Sequence, residues 1–269
     1  MQNGLKKQNE KRRGAAEKQR RRGDTPKIVI LSDIHGNYEA LKALPEDYDE
    51  LWVLGDLVNY GPQPAEVVEF VRQKASLVVR GNHDDAVAFG RDPRCSRAFR
   101  EAAEETRRYT ASLLSDKQKE YLADLPYYSW VQRGGWTFYL CHAVPSDPLY
   151  AYCDEDARRW RKELSVAGTD FLFVGHTHVQ FSVRKGEQLV VNPGSIGQPK
   201  DSRPSACYAA WENGSVSLRS YSYPIERTAR HIRAMPVSSE VQEFLVEVLR
   251  AGAVPKSTTE RAHVKNQGA

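Results

Sequence analysis

Short apolar runs alternate with amphipathic stretches near the start of the chain. Lys27–Asp33 begins with a continuous apolar run, which is typical of a strand buried on both faces of a sheet. The pattern then predicts a helix from Asn37 to Leu44, a second buried strand at Leu51–Leu54 and a helix from Pro64 to Lys74. A third strand follows at Leu77–Val79. This alternation predicts a parallel sheet built from βαβ units.

The pattern changes in the second half of the chain. Residues 85–125 are charged, carry an apolar stripe and are predicted to form a helical insertion. Apolar runs on either side of a Gly-Gly pair between Trp130 and Leu140 indicate two strands joined by a tight turn. The remaining predicted elements are helices at 154–166, 225–234 and 239–250, a strand at 171–174, and hairpins that turn near Lys185-Gly186 and Asn213-Gly214. The sequence therefore predicts one α/β domain whose second half is more antiparallel.

Composition is ordinary for a globular protein of 269 residues, 40% of them hydrophobic and 28% charged. No apolar run approaches the roughly 20 residues that a membrane-spanning helix needs. The basic start of the chain also lacks the apolar stretch of a secretory signal. We therefore expect no membrane partner and a cytoplasmic location.

The positive charge is concentrated in residues 1–24. They hold nine Lys or Arg and three Asp or Glu, a net charge of +6, so the rest of the chain carries −2 of the total of +4. So polar a segment cannot bury enough apolar surface to become ordered. We predict a disordered basic tail at 1–24 that makes at most a weak contact with nucleic acid. Residues 25–251 would form the domain and 252–269 a flexible C-terminal tail.

Polar side chains that commonly bind metals follow several of the predicted strands. They are Asp33, His35, Asp56, Asn82, His142, His176 and His178. Because ligands of open α/β sheets bind beyond the carboxyl ends of the strands, we expect these residues at one edge. Each motif alone has a simpler interpretation, such as a helix cap at Asp33 or a turn at Asn82. Together, however, they would leave costly unpaired polar groups beside the core unless they bound something.

These segments resemble the calcineurin-like metallophosphoesterases. The match runs in order through Asp33-x-His35, Gly55-Asp56, Gly81-Asn82-His83-Asp84, His142 and Gly175-His176-x-His178. Segments 31–41, 55–62 and 192–199 are similar to the small bacterial and archaeal phosphodiesterase branch, and the resemblance covers roughly residues 27–235. It implies a four-layer αββα sandwich of two mixed sheets flanked by helices.

The resemblance also implies roles for these side chains. One divalent metal would be held by Asp33, His35 and His178, and a second by Asn82, His142 and His176, with Asp56 bridging the two. Manganese or iron is the expected metal, and zinc or nickel is the alternative. The two metals would share a hydroxide that attacks the phosphate ester in line. His83 would protonate the leaving group, while Asp84 either orients His83 or caps a helix.

The loop at 192–203 follows a strand and should reach the same edge. Its Lys200 and Arg203 are candidate contacts to a phosphate that lies away from the metals. We therefore predict a small phosphorylated substrate, either a phosphodiester or a dinucleoside polyphosphate.

The sequence leaves several alternatives open. One is a phosphomonoesterase or protein phosphatase, and another is a non-catalytic metal-binding scaffold of the same fold. A nuclease is suggested by the basic tail and by a basic, aromatic stretch that a solvated helix face explains equally well; its residues are Arg94, Arg97, Phe99, Arg100, Arg107, Arg108 and Tyr109. The oligomeric state also stays open.

Overall fold

The computed structural model describes residues 25–155 and 157–255. The predicted tail at 1–24, and residues 256–269 of the predicted C-terminal tail, lie outside these ranges. The strands in the described part are β1 (Ile28–Leu31), β2 (Glu50–Val53), β3 (Leu77–Val78), β4 (Tyr128–Arg133), β5 (Trp136–Cys141), β6 (Phe171–Phe173), β7 (Gln180–Lys185), β8 (Gln188–Pro193), β9 (Ala206–Glu212) and β10 (Ser215–Tyr221).

The helices lie between and after these strands. Within the same described ranges they are α1 (Tyr38–Leu41), α2 (Pro64–Lys74), α3 (Asn82–Phe89), α4 (Arg100–Leu113), α5 (Asp116–Asp124), α6 (Ala157–Ala167), α7 (Ile225–Arg233) and α8 (Ser239–Ala251), with a 3₁₀ turn at Arg97–Phe99. The region predicted as a helical insertion thus contains α4, α5 and most of α3. No helix in the described part of the chain is long and apolar enough to cross a membrane.

The strands form two five-stranded mixed sheets. The first has the order β10-β9-β1-β2-β3, in which β1, β2 and β3 are parallel and β9 runs antiparallel to β1. The second has the order β4-β5-β6-β8-β7, with β5, β6 and β8 parallel. Three hairpins, β4–β5, β7–β8 and β9–β10, supply the antiparallel pairs at the sheet edges.

The two sheets pack face to face and helices cover their outer faces. Ile28 and Ile30 of β1 point into the core between the sheets, where Phe138 contacts Trp52 edge to face at 5.2 Å between ring centroids. The alternate residues of β1 pack under α1 and α2, so every residue of this strand is buried and the apolar run is continuous. Trp160 of α6 covers the outer face of the second sheet. The predicted four-layer αββα sandwich is confirmed.

Two predicted boundaries are too long, for local reasons. The first strand ends at Leu31 and does not continue to Asp33, because the backbone at Asp33 turns to a left-handed φ of 52°. The helix predicted from Asn37 to Leu44 is only the single turn α1. Asn37 lies before that turn and caps it by accepting a hydrogen bond from the Ala40 amide at 3.2 Å.

Candidate metal centre

Five parallel strands of the two sheets end at the same edge, and each delivers polar side chains there. Asp33 and His35 follow β1, Asp56 follows β2 and Asn82 opens α3 after β3, while His142, His176 and His178 follow β5 and β6. All seven are buried, with at most 4% of their surface exposed. The structure therefore brings together every residue predicted as a metal ligand.

The backbone leaves the strands in an unusual conformation. Five of these residues have a left-handed φ, namely Asp33 (52°), His35 (47°), Asp56 (53°), His176 (67°) and His178 (59°). Residues with a Cβ adopt this region rarely, and it occurs where the surrounding structure fixes it for function. Backbone hydrogen bonds from Asp33 to Gly55 (3.1 Å) and from His35 to Asp56 (2.9 Å) join the first two turns.

The donor atoms fall into two groups. In the first, His35 Nε2 lies 3.2 Å from His178 Nε2, and Asp33 Oδ1 lies 3.3 Å from His178 Nε2. Asp56 Oδ2 completes this group at 3.7 Å from His35 Nε2. One ligand atom from each of these four residues lies within 4.8 Å of the ligand atoms of the other three.

The second group surrounds His142. Its Nε2 lies 2.9 Å from Asn82 Oδ1, 3.2 Å from His176 Nδ1 and 3.3 Å from Asp56 Oδ2. The oxygen Oδ2 of Asp56 therefore faces both groups. Its other oxygen, Oδ1, accepts the backbone amide of His83 at 2.8 Å, which fixes the carboxylate plane.

Hydrogen bonds to backbone carbonyls fix the state of three imidazoles. The Nδ1 atoms of His35, His142 and His178 lie 3.0, 2.8 and 2.6 Å from the carbonyl oxygens of Val58, Leu54 and Gln198. Since a carbonyl only accepts, each Nδ1 carries a proton, and each ring presents the lone pair of Nε2 to the cluster when it is neutral. The Asn82 amide donates to the Pro93 carbonyl at 2.7 Å, which turns Asn82 Oδ1 inward.

The first donor group consequently lacks positive charge. The lone pairs of His35 Nε2 and His178 Nε2 face each other, and Asp33 Oδ1 is buried without a hydrogen-bond donor among the described residues. Burial lowers the pKa of His35 to about 3 and raises that of Asp33 to about 6. Burial also disfavours a charged His142, but the carboxylate of Asp56 outweighs it and raises the pKa of His142 to about 9. The donor set therefore fits divalent cations, which would supply the charge that the first group lacks and would take the place of the proton on His142 Nε2 in the second.

His83 is next to the cluster but belongs to neither donor group. It is buried, and its Nδ1 lies 2.9 Å from the side-chain nitrogen of Asn59, whose Oδ1 is buried without a partner in the described part. Because an amide nitrogen only donates, His83 Nδ1 accepts this hydrogen bond and a neutral His83 carries its proton on Nε2. Asp84 does not hold His83: its carboxylate accepts the amides of Asp56 (2.8 Å), Leu57 (2.8 Å) and Gly81 (3.0 Å). The helix-capping alternative for Asp84 agrees with these contacts.

Sequence reasoning gave no role to Asn59. It lies in the segment 55–62, in the same loop as Asp56, and has a left-handed φ of 69°. The signal in the sequence that could have identified Asn59 is its position, three residues after the metal-binding candidate Asp56.

Lys200 and Arg203 occupy different environments. The Lys200 amide donates to the His178 carbonyl at 3.3 Å, and Nζ lies 4.4 Å from the centre of the Phe99 ring. Burial lowers the pKa of Lys200 to about 8, although Asp33 and Asp56 attract its charge. In contrast, Arg203 is half exposed and paired with Asp201, and no contact among the described residues joins it to the cluster.

Known proteins share this fold and these segments. Residues 27–214 match the calcineurin-like phosphoesterase superfamily domain. The crystal structure of a metallophosphoesterase from Sphaerobacter thermophilus is 32% identical with a TM-score of 0.72, covering 86% of this chain and 100% of that one. An uncharacterized protein of Methanocaldococcus jannaschii is 28% identical over 248 residues, 84% of this chain and 98% of its own. A symmetrical bis(5'-nucleosyl)-tetraphosphatase of Nitrosococcus oceani is 42% identical over 77 residues, only 24% of this chain and 28% of that protein.

The four-layer fold and its buried Asp and His cluster define a hydrolase of phosphate esters that has a site for divalent metal. The chain belongs to the calcineurin-like phosphoesterase superfamily, as its motifs indicated.

Proposed function

We propose that this phosphoesterase hydrolyses phosphodiesters or dinucleoside polyphosphates with two divalent cations, manganese or iron. The observation that carries the proposal is the position of Asp56 Oδ2, which faces both donor groups at 3.7 and 3.3 Å from a histidine of each. The first cation would be held with Asp33, His35 and His178. The second would be held with Asn82, His142 and His176.

Two such cations lower the pKa of a water molecule and neutralise charge on the phosphoryl oxygens. His83 protonates the leaving oxygen from Nε2, since its Nδ1 is engaged by Asn59. The imidazole can give up a proton and recover it from water while Asn59 keeps the ring in place. Lys200 adds a cation beyond the two donor groups and contacts a phosphate oxygen of the substrate.

The intact donor set argues against a non-catalytic scaffold. The choice of substrate rests on two observations, namely the position of Lys200 and the short match with the bis(5'-nucleosyl)-tetraphosphatase. A phosphomonoesterase is the second candidate, because the same two donor groups suit either ester.

A substrate panel assayed with manganese and with iron tests this proposal. We expect a higher kcat/KM for bis(p-nitrophenyl) phosphate and diadenosine tetraphosphate than for p-nitrophenyl phosphate, nucleoside monophosphates or phosphoserine. Asp56→Asn is the matched control for contaminating phosphatases, since it keeps the size of the side chain and removes its charge. A panel in which the monoesters are hydrolysed best would contradict the choice of substrate.

Several predictions stay predictions. They are the cytoplasmic location, the domain limits, the nucleic-acid contact of residues 1–24 and the phosphate contact of Arg203. The Arg203 contact would require its ion pair with Asp201 to open when substrate binds.

A further inference from the structure

A cavity of about 250 Å³ lies between the end of α3 and the start of α4, beside the proposed metal centre. Its wall includes Arg91, Asp92, Pro93, Cys95, Arg100 and Arg107. The volume is just below the roughly 300 Å³ at which pockets for whole small molecules begin. The cavity therefore suits part of a substrate.

Two cations in this wall form no ion pair with any residue that the structure describes. Arg91 is paired with Asp85 at 3.1 Å, and Glu104, which also lines the cavity, is paired with Arg108 at 3.1 Å. In the described part of the chain, Arg100 and Arg107 form no ion pair. They are seven residues apart on α4, so they lie on one face of the helix, two turns from each other.

The lining acids offset only part of this charge. Glu104 is paired with Arg108, whereas Asp92 keeps its negative charge, because the Arg94 backbone amide that it accepts at 2.8 Å is neutral. One carboxylate thus remains against Arg100 and Arg107, so these three lining groups carry a net charge of +1 and favour an anion.

The wall of the cavity is also continuous with the metal centre. The Pro93 carbonyl accepts the hydrogen bond that orients Asn82. The Tyr60 ring contacts the Phe99 ring at 5.4 Å and the rings of His35 and His83, each at 4.8 Å, between centroids. Phe99, against which Lys200 packs, directly precedes Arg100. Lys200, Arg100 and Arg107 thus extend positive charge outward from the cluster.

We propose that this cavity is a second phosphate subsite, where Arg100 and Arg107 bind the part of a polyphosphate chain that lies beyond the phosphate being cleaved. The inference rests on the proposed function and narrows its substrate from phosphate esters in general to molecules with consecutive phosphates. The planar guanidinium groups suit such oxygens because each can make two parallel hydrogen bonds.

Inorganic tripolyphosphate and orthophosphate are the probes that separate the subsite from the metal centre. Orthophosphate is small enough to fill the metal centre alone, whereas tripolyphosphate extends beyond it. Each is titrated calorimetrically into the full chain, with metal and after chelation. The variants are Arg100→Gln with Arg107→Gln, and Arg97→Gln as the control, because Arg97 is an exposed arginine just before α4 that does not line the cavity. Thermal unfolding checks that each variant is folded.

We expect the double variant to bind tripolyphosphate about tenfold more weakly, since two partly exposed charge-assisted contacts of a few-fold each are lost. Its affinity for orthophosphate should change less than twofold, and Arg97→Gln should bind both anions like the wild type. Equal tripolyphosphate affinity in the double variant and the wild type would overturn the subsite. An equal loss of tripolyphosphate affinity in Arg97→Gln would also overturn it.

The subsite and the proposed function can fail separately. A chain that hydrolyses none of the panel yet loses tripolyphosphate affinity in the double variant would keep the subsite and lose the function. A chain that hydrolyses diesters, with tripolyphosphate binding unchanged in the double variant, would keep the proposed function and overturn the subsite.

Discussion

Replacing His83 by alanine should slow the reaction without emptying the metal centre. His83 belongs to neither donor group, and its ring approaches that of His35 at 5.2 Å between centroids. Its backbone amide, which holds Asp56 Oδ1 at 2.8 Å, is retained in the variant. Loss of a general acid costs roughly 10²–10⁴ in rate. We expect kcat to fall within this range for poor leaving groups such as nucleosides and alcohols.

The deficit should depend on the leaving group. A nitrophenolate leaves without protonation, so its release should be slowed far less than release of an alkoxide. The assay is a series of aryl and alkyl phosphate esters hydrolysed by the wild type, His83→Ala and His83→Asn, with metal content measured on each preparation. His83→Asn keeps a polar side chain beside Asn59 but cannot donate a proton from an imidazole. The variants should retain near-normal metal, because no metal donor is removed.

A uniform loss across all leaving groups would refute the proton-donor role. Loss of metal in His83→Ala would refute the separation of His83 from the donor groups. Unfolding measurements on each variant check that the loss of rate is not a loss of folded protein. Leaving the buried Asn59 amide without its partner is expected to lower the free energy of unfolding by about 1–3 kcal/mol.

Three further changes have defined outcomes. Lys200→Met should raise KM for diesters about tenfold or more, because a charge-assisted contact is lost; an unchanged KM in steady-state assays would exclude the contact. A methyl group at Gly175 would clash with Ser32 Oγ, which donates to Asp33 Oδ2, and would lie 2.8 Å from Asp33 Oδ2 itself. Gly175→Ala should therefore displace Asp33 and weaken metal binding as measured by equilibrium dialysis, and wild-type affinity would contradict this reasoning. Burial disfavours ionised Glu46, but bonds from Lys27, Tyr208 and Arg219 lower its pKa from 4.5 to about 2. The ionised form of Glu46 therefore stabilises the fold above pH 4.5, and it does so progressively less as the pH falls towards 2. Glu46→Gln should lower the free energy of unfolding in urea by about 1–2 kcal/mol at pH 7. A loss that did not shrink at pH 3.5 would contradict this pH dependence.

The sequence was sufficient for the ligand candidates because each of them follows an apolar strand. Parallel strands end at one edge, so placing Asp33, Asp56 and Asn82 together required only the order of strands and helices. The same rule placed His142, His176 and His178 at that edge, although hairpins alternate with parallel strands in that half and the pattern does not say which sheet they join. The division of the seven residues into two metal sites came only from the resemblance. The four layers were implied by the family and not by periodicity.

The contacts between loops were beyond the sequence. That Asn59, and not Asp84, touches the His83 ring depends on a left-handed backbone at Asn59 and on three amides that engage Asp84. Lys200 and Arg203 are three residues apart, yet one packs on Phe99 and the other pairs with Asp201 in solvent. Neither the direction of a loop nor a cavity behind it can be derived from residue spacing.

Asp56 would hold both cations of the proposed site, since its Oδ2 faces the two donor groups. Elemental analysis of the wild type and Asp56→Ala, each purified in parallel and checked for folding by circular dichroism, tests it most directly. We predict about two metal equivalents per chain in the wild type and a loss affecting both positions in Asp56→Ala, together with activity. Two full equivalents retained in Asp56→Ala would contradict the shared role of Asp56.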